Sequence, residues 1–597
     1  MAAQFVIGID LGTTNCVLAY TPLDSEKPEV KLLQISQLVA PSTVESRDSL
    51  PSFTYLANAS ETAGGLYDLS DAKDRDFAVG EVARKQSAEM PDRTVGAAKS
   101  WLSHSKVDRH QAILPWKAPE DVPKISPMTA SRRYLEHLVD AWHQSFSDAP
   151  ITEQHVVLTV PASFDASARE LTREAALAAG LPDSLVLLEE PQAATYAWLA
   201  DRGDGWRKCL GVNDRLLVCD VGGGTTDLTL VEVTEEAGAL QLERKAVGNH
   251  LLVGGDNMDL AIAWHVSELF REQGVDLDPW QSVSLWHSCR AAKEALLSED
   301  GPETHPVSVL GRGSRLIGGT VSVDVERQKV LDLLAEGFFA ECSLDDEPVK
   351  QRASGFQEIG LPFEADTAVT RHLAAFLKRH GREGENASRP THVLFNGGVF
   401  KAGSLKQAVM TRLSAWFSDE PPQLLDGTHD LDFAVSRGAA SYGWAKQRGG
   451  IRIRGGAARS YYVGIETAGL AIPGAPRPLK ALCVVPAGME EGTEVDIPSD
   501  DIGLIVGEAV RFRFFSSSVR KDDQPGSVVN RWVPDEIVET DSLEATLDKD
   551  EDIEDDYVPV RFHSQITELG VFELWCVHSA MDRRWKLEFS VRDDAEV

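Results

Sequence analysis

The chain has 597 residues, 43% of them hydrophobic, 25% charged and 7% aromatic, which excludes wholesale disorder, a small disulfide scaffold and a single small core. Lys plus Arg number 59 against 93 Asp plus Glu, a formal charge of −34; this field repels phosphate backbones and anionic lipid, so neither nucleic acid nor membrane is an expected partner. The seven cysteines (Cys16, Cys209, Cys219, Cys289, Cys342, Cys483, Cys576) are scattered, odd in number and without a CxxC pair. They read as buried small hydrophobes of a reducing compartment. The N-terminal apolar run has no basic segment before it, and no stretch reaches the roughly 18 to 20 apolar residues of a membrane helix, so a cytoplasmic protein is expected.

In chain order, residues 5–20 form a β-rich run ending in Asp10, a turn of Gly12, Thr13 and Thr14, and a second β-rich run. Residues 216–233 repeat the pattern: a run ending in Asp220, a turn of Gly222, Gly223, Gly224 and Thr225, then Asp227 and another run. Each predicts a hairpin, and a separation of about two hundred residues points to a duplicated domain rather than a solenoid. Between them a buried-type strand at 156–160, a helix at 165–179 and a strand at 185–188 leading into Glu189, Glu190 and Pro191 alternate as in an α/β domain. Helices are predicted over 282–297 and 363–379, and a strand at 391–396 runs into Gly397 and Gly398. The basic, glycine-rich segment 446–456 reads as a linker. Beyond it Val510, Phe512 and Phe514 alternate with Arg511 and Arg513, and Trp585, Leu587, Phe589 and Val591 with polar residues, the period of half-buried antiparallel strands. The acidic stretch 548–556 is expected to be a solvated loop.

Glycine turns at strand ends can aim backbone N–H groups at a phosphate with no side chain in the way. Both turns offer this, whereas GxxxxGK[ST] is absent and the second turn places Asp227 where GxGxxG requires glycine, which disfavours P-loop and Rossmann folds. Asp10 and Asp220 each close the strand before the turn, where a carboxylate can hold Mg²⁺ through water.

The order of motifs resembles the seventy-kilodalton heat-shock chaperones, the DnaK-like branch of the actin-like ATPases. Besides the hairpins the resemblance rests on residues 50–52, 79–84, 159–164, 189–194, 254–256, 396–398, 432–440 and 463–467. It implies an α/β fold: a two-lobed actin-like (ribonuclease H-like) ATPase domain over 1–445, with lobes about 1–195 and 196–445, the linker 446–456, and a β-sandwich-like substrate domain over 457–597. That length leaves no residues for the family's helical lid. It further implies ATP/ADP and Mg as cofactors. Thr13, Thr14 and the turn Gly222, Gly223, Gly224 and Thr225 would hold the phosphates, with Gly12, Gly254 and Gly255 around them. Asp10 and Asp220 would bind Mg²⁺; Glu190 and Asp227 would face the γ-phosphate and attacking water; Lys293 would face the ribose; Gly397, Gly398 and Asp432 would lie along the adenosine.

Several matched positions depart from the family. Its lysine near the γ-phosphate is matched by Arg84, a guanidinium of different reach. Its two adenine-clamping arginines are matched by Glu294 and Lys401, and a carboxylate cannot stack on the base. Arg290, four residues before Glu294, is expected to pair with it on the helix surface. The resemblance and its departures together imply a slow Mg-dependent ATP hydrolase of the chaperone type, involved in protein folding and stress response. Its β domain binds unfolded or extended polypeptide clients under nucleotide control, served by a co-chaperone or nucleotide-exchange factor. The second reading is a nucleotide-binding adaptor with little or no turnover, serving one partner. A small-molecule kinase of the same superfold is weakened by the β-rich end.

Overall fold

In this computed structural model the described residues are 3–69, 72–104, 107–236, 239–249, 251–310, 320–349, 361, 363–381, 385–425, 427, 430–448, 453–454, 457, 459–466, 479–489, 492–505, 507–534, 536–540, 542–546, 557–567, 572–581 and 583–589. The acidic stretch 548–556, Thr467, Val591 and most of the expected linker, including Ile451 and Arg452, lie outside them.

The first apolar run forms β1 (Phe5–Leu11), which turns back antiparallel into β2 (Asn15–Pro22). The short β3 (Lys31–Leu32) and Leu50–Pro51 pair with β2, while β4 (His155–Val160) and β5 (Val186–Glu189) add parallel on the other side, giving the order β5-β4-β1-β2-β3. β1 and β4 are nearly continuous runs of buried Val, Ile and Leu because both faces of this sheet are covered. The second sheet repeats the plan. β6 (Arg215–Val221) and β7 (Thr226–Glu236) form the hairpin, β8 (Ala239–Val247) extends it, and β9 (His392–Asn396) and β10 (Gln423–Leu424) add parallel. Its order is β10-β9-β6-β7-β8-β11, where β11 (Ile453–Arg454) is the part of the expected linker that is described, a parallel edge strand opposite Leu242 and Glu243. The sequence echo between the hairpins is thus an echo of strand order.

The helices that carry the site or pack around the two sheets include α1 (Glu81–Glu89), α2 (Ala98–Leu102), α3 (Ala166–Ala178), α4 (Glu190–Arg202), α5 (Gly255–Glu272), α6 (Pro279–Leu297), α7 (Val369–Arg379) and α8 (Ala434–Arg448). α6 starts three residues earlier than expected because Asp278 caps it, accepting from Gln281 N at 2.8 Å, with Pro279 at the first helical position. The helix expected from residue 363 starts only at Val369, because the Asp366 carboxylate takes the Ala368 N–H at 2.9 Å and holds the preceding turn out of the helix. α4 and α8 cross between the two sheets: Val435, Ala439 and Tyr442 join Ala193, Tyr196 and Leu199 in a core that also takes Val157 and Leu188 from the first sheet and Leu216, Val218 and Leu394 from the second. At the crossing a Cβ on Gly438 would stand 1.7 Å from the Ala193 carbonyl oxygen.

Beyond β11 the regular elements among the described residues are all strands. Ser460–Glu466, Leu479–Val485 and Phe514–Ser517 form one sheet, edged by Val528–Val529 and Val538–Glu539. Thr493–Asp496, Tyr557–Ile566, Phe572–His578, Arg584–Phe589, Leu543–Thr546 and Ala509–Phe512 form the other, with Ile502–Ile505 also paired to Tyr557–Ile566. The two share a core in which Tyr461, Val463, Leu482 and Phe514 meet Leu504, Phe512, Phe562 and Leu574. The single alternating strand expected at 510–514 is divided: the chain changes sheet at Arg513, so Phe512 and Phe514 enter this core from opposite sheets. Arg459 donates to the Gly248 carbonyl at 3.3 Å and Lys521 to the Lys245 carbonyl at 2.5 Å, tying this unit to the end of β8.

Candidate functional site

Each hairpin turn closes on the same backbone bond, Gly12 N to Asn15 O at 3.1 Å and Gly222 N to Thr225 O at 2.9 Å. The turns face one another across a cleft of about 510 Å³. A Cβ on Gly223 would stand 2.1 Å from Thr14 Oγ1, and one on Gly224 would stand 2.5 Å from Ser100 Oγ, so only glycine lets them approach so closely. The start of α5 is docked on the second turn, with Gly255 N donating to Gly222 O at 2.9 Å and Asp256 N to Gly223 O at 2.6 Å.

The register of each sheet gives its Asp a partner on the adjoining parallel strand. Asp10 stands opposite Thr159, whose hydroxyl donates to it at 3.3 Å; Asp220 stands opposite Asn396, whose amide donates to it at 2.7 Å. Glu190 is the first residue of α4, delivered by β5 with Pro191 behind it. Asp227, just past the second turn, is buried and accepts from Ser163 N at 3.2 Å. The cation among these carboxylates is Lys99 on α2, buried and ion-paired with Glu190.

Four carboxylates around one ammonium set the electrostatics. Burial pushes Asp10 up to about 7 against the pull of Lys99, and it pushes Asp220 well above the ordinary carboxylate range, with Glu190 adding to the rise. Glu190 and Asp227 are raised for the same first reason, opposed by Lys99 and by the Ser163 hydrogen bonds respectively. For Lys99 burial works against the charge, but Glu190 and Asp10 outweigh it and hold the ammonium above its usual range.

Of the residues singled out from sequence, Asp10, Gly12, Thr13, Thr14, Arg84, Glu190, Asp220, Gly222, Gly223, Thr225, Gly255, Lys293, Glu294, Gly397, Gly398 and Asp432 line this one cleft. Gly224, Asp227 and Gly254 are not on its wall; Asp227 and Gly254 stand behind the turns as supports. Arg84 is on the wall but is tied to Glu81 at 3.0 Å with its side chain 37% exposed, and it is Lys99 that reaches Glu190. Lys99 was legible only as a lysine set among small residues just ahead of Trp101 and Leu102. The expected Arg290–Glu294 pair gives way to another: the Arg290 guanidinium clasps Asp256 and Asp259, where two buried carboxylates outbid one exposed carboxylate on its own helix. Lys293 joins them, 2.7 Å from Asp259 and donating to Gly255 O at 2.9 Å. Farther out the walls turn apolar, with Leu297, Val399, Ala402, Leu405 and Leu431, and Lys401 is paired with Asp432 at the rim. Gly397, at φ +88°, passes where a Cβ would stand 2.2 Å from Val221 O.

The family model for Hsp70 protein matches residues 70–349. The chain is also 29% identical, over 421 residues covering 67% of it, to the chaperone protein DnaK of Stenotrophomonas maltophilia (strain R551-3). The chain is thus similar to the Hsp70 family over part of its length. Its match spans 59% of that DnaK. The matched residues include α1, α2, Glu190, Asp220, the second turn and α5, whereas Asp10, the first turn, Gly397, Gly398 and Asp432 line the cleft from outside the matched range. The residues of the cleft fit a magnesium-bearing polyphosphate on two counts. Glycines keep both turns clear of side chains, and the buried carboxylates exceed their one ammonium, an excess that a cation would relieve. Among the described residues no helix is long and apolar enough to cross a membrane.

Proposed function

We propose that the chain is a chaperone-type ATPase in which the cleft binds and hydrolyses ATP and the C-terminal β unit binds extended polypeptide. The observation that carries this reading is the pairing of two facing glycine turns with four clustered carboxylates, Asp220 and Asp227 buried and Asp10 and Glu190 half-buried, with Glu190 aimed into the cleft from a helix start. The N–H groups of the turns and the Thr13 and Thr14 hydroxyls would receive the β- and γ-phosphates. Mg²⁺ bound to the phosphates would neutralise their charge; among the described residues no three ligating groups form a ready-made metal cluster, so Asp10 and Asp220 would hold its water rather than the ion. Lys293 would meet the ribose, and the apolar stretch between Leu297 and Leu431 would receive the base, with Gly397 and Gly398 beneath it.

Hydrolysis then consists of positioning and charge stabilisation. A water held by Glu190 forms the new P–O bond as the bond to the bridging oxygen breaks; the electron pair leaves with ADP, and the water's proton ends on the phosphate product. Orienting that water is worth roughly 10² to 10⁴ in rate. Glu294 and the Asp432-bound Lys401 supply no stacking plane for the base, so affinity would rest on the phosphate end.

Single-turnover hydrolysis of Mg·ATP by the full chain tests the reading. Glu190→Ala is expected to lose at least about 10²-fold in rate while still binding nucleotide. Equal rates in native and variant chains, with nucleotide bound in both, would leave the adaptor reading in its place.

A further inference from the structure

α6 forms one wall of the cleft and runs outward from its phosphate end. Lys293 donates to Gly255 O beside the second turn, and Leu297 and Ser298 line the wall one helical turn, about 5.4 Å, farther on. Glu294 stands between them on the same wall. Arg290, one turn back, is clasped by Asp256 and Asp259, and Lys293 is held by Asp259, so Glu294 forms no ion pair or hydrogen bond among the described residues. The other polar groups of this outer part are engaged: Asp432 holds Lys401 on the facing wall, and Ser298 turns its hydroxyl back to the Ala295 carbonyl at 2.8 Å. Around them Leu297, Leu405 and Leu431 are apolar. Of the side chains named, Glu294 is left open to a ligand, and an ionised carboxylate only accepts hydrogen bonds.

Such a group meets the two common purines differently. Guanine presents adjacent donors, N1–H and the N2 amine, which the two oxygens of one carboxylate accept side by side, as they accept from a guanidinium. The corresponding edge of adenine sets the N1 lone pair beside the N6 amine, so one hydrogen bond is gained and one repulsion is set against it. We propose that Glu294 reads the base, and that the cleft takes guanine nucleotides at least as well as adenine nucleotides, with guanine N1–H and N2–H donating to the Glu294 carboxylate. Specificity is a difference of affinities, and here both the attraction to one base and the repulsion of the other come from the same side chain. This rests on the nucleotide reading of the cleft and widens its substrate class to both purines.

The test is calorimetric affinity of the full chain, with Mg²⁺, for ADP, GDP and IDP, the last keeping guanine's N1–H without its N2 amine. The native chain is expected to bind GDP as tightly as ADP or tighter, with IDP weaker than GDP. Glu294 is exposed, so Glu294→Ala removes no core contact; it is expected to lower the affinity for GDP at least about fivefold relative to that for ADP, as losing hydrogen bonds to a charged group does, and to bring IDP and GDP together. GDP more than about threefold weaker than ADP in the native chain, or a GDP-to-ADP ratio that Glu294→Ala leaves unmoved, overturns the proposal. A larger guanine-specific loss in Asp432→Ala than in Glu294→Ala overturns it as well, since the reading group would then be Asp432. If the native chain binds none of the three, the nucleotide reading itself falls; if it binds them with a ratio indifferent to Glu294, only the reading of the base does.

Discussion

His287 shows how one half-buried side chain makes stability depend on pH. It lies on α6 between Trp286, at a ring separation of 4.9 Å, and Phe53, at 6.3 Å. Burial first and Arg290 second push its pKa down to about 3, so the folded chain keeps it neutral while the unfolded chain takes up a proton near 6.5. The unfolded state therefore binds more protons in that window, and stability falls as pH drops from about 6.5 toward 3. His287→Gln is expected to flatten the dependence by up to one proton, about 1.4 kcal/mol per pH unit, in urea unfolding series between pH 6.5 and 4; matching slopes would exclude the effect. At this scale the sequence was informative wherever a residue was tied to a turn. Asp10, Asp220 and Glu190 could be picked out because a strand end or helix start fixes where each side chain goes. Lys99 could not, because its position depends on α2 folding back over the second turn, a contact between residues more than a hundred apart that leaves no local pattern. Arg290 was misassigned for a related reason: spacing on a helix reveals Glu294 but not the carboxylates of α5 packed against it.

At the scale of elements, the α4–α8 crossing is the tightest contact that positions the site, because α4 begins with Glu190. The backbone of Ala193 occupies the space that any side chain on Gly438 would need, and neither helix can yield without displacing a sheet. Gly438→Ala is expected to cost about 3 kcal/mol of stability, readable as a lowered midpoint in denaturant unfolding, and to lower nucleotide affinity with it by moving the start of α4. A midpoint within error of native would mean the helices separate freely. The hairpins were legible because period, aspartate and glycine all agree there. Helix starts were less so, since Asp278 and Asp366 act through side-chain bonds to backbone N–H groups, one opening a helix and the other delaying it. The split at Arg513 was hidden because strict alternation continues unbroken while the chain leaves one sheet for the other.

For the whole molecule, a charge of −34 is carried by a fold whose ion pairs are local, such as Arg169 and Arg244 on Glu189 or Arg290 on Asp256 and Asp259. Self-repulsion therefore acts over distances that salt screens, whereas the buried pairs are largely sheltered. Raising NaCl from 0.01 to 0.1 M, which shortens the screening length from about 30 to 10 Å, is expected to raise the thermal midpoint of the ligand-free chain; a falling midpoint would show that exposed pairs dominate. The change from alternating helices and strands to strands alone was legible from texture, but the placing of α8 was not. A helix of residues 434–448 lies against strands begun at residue 5, so one face of the first sheet, which α4 covers only in part, is not completed until nearly three quarters of the chain has been made. At about 5 to 20 residues per second that is a wait on the order of tens of seconds on the ribosome. During that wait the nascent first sheet, its strands paired and one apolar face partly bare, is itself the kind of polypeptide a chaperone would capture.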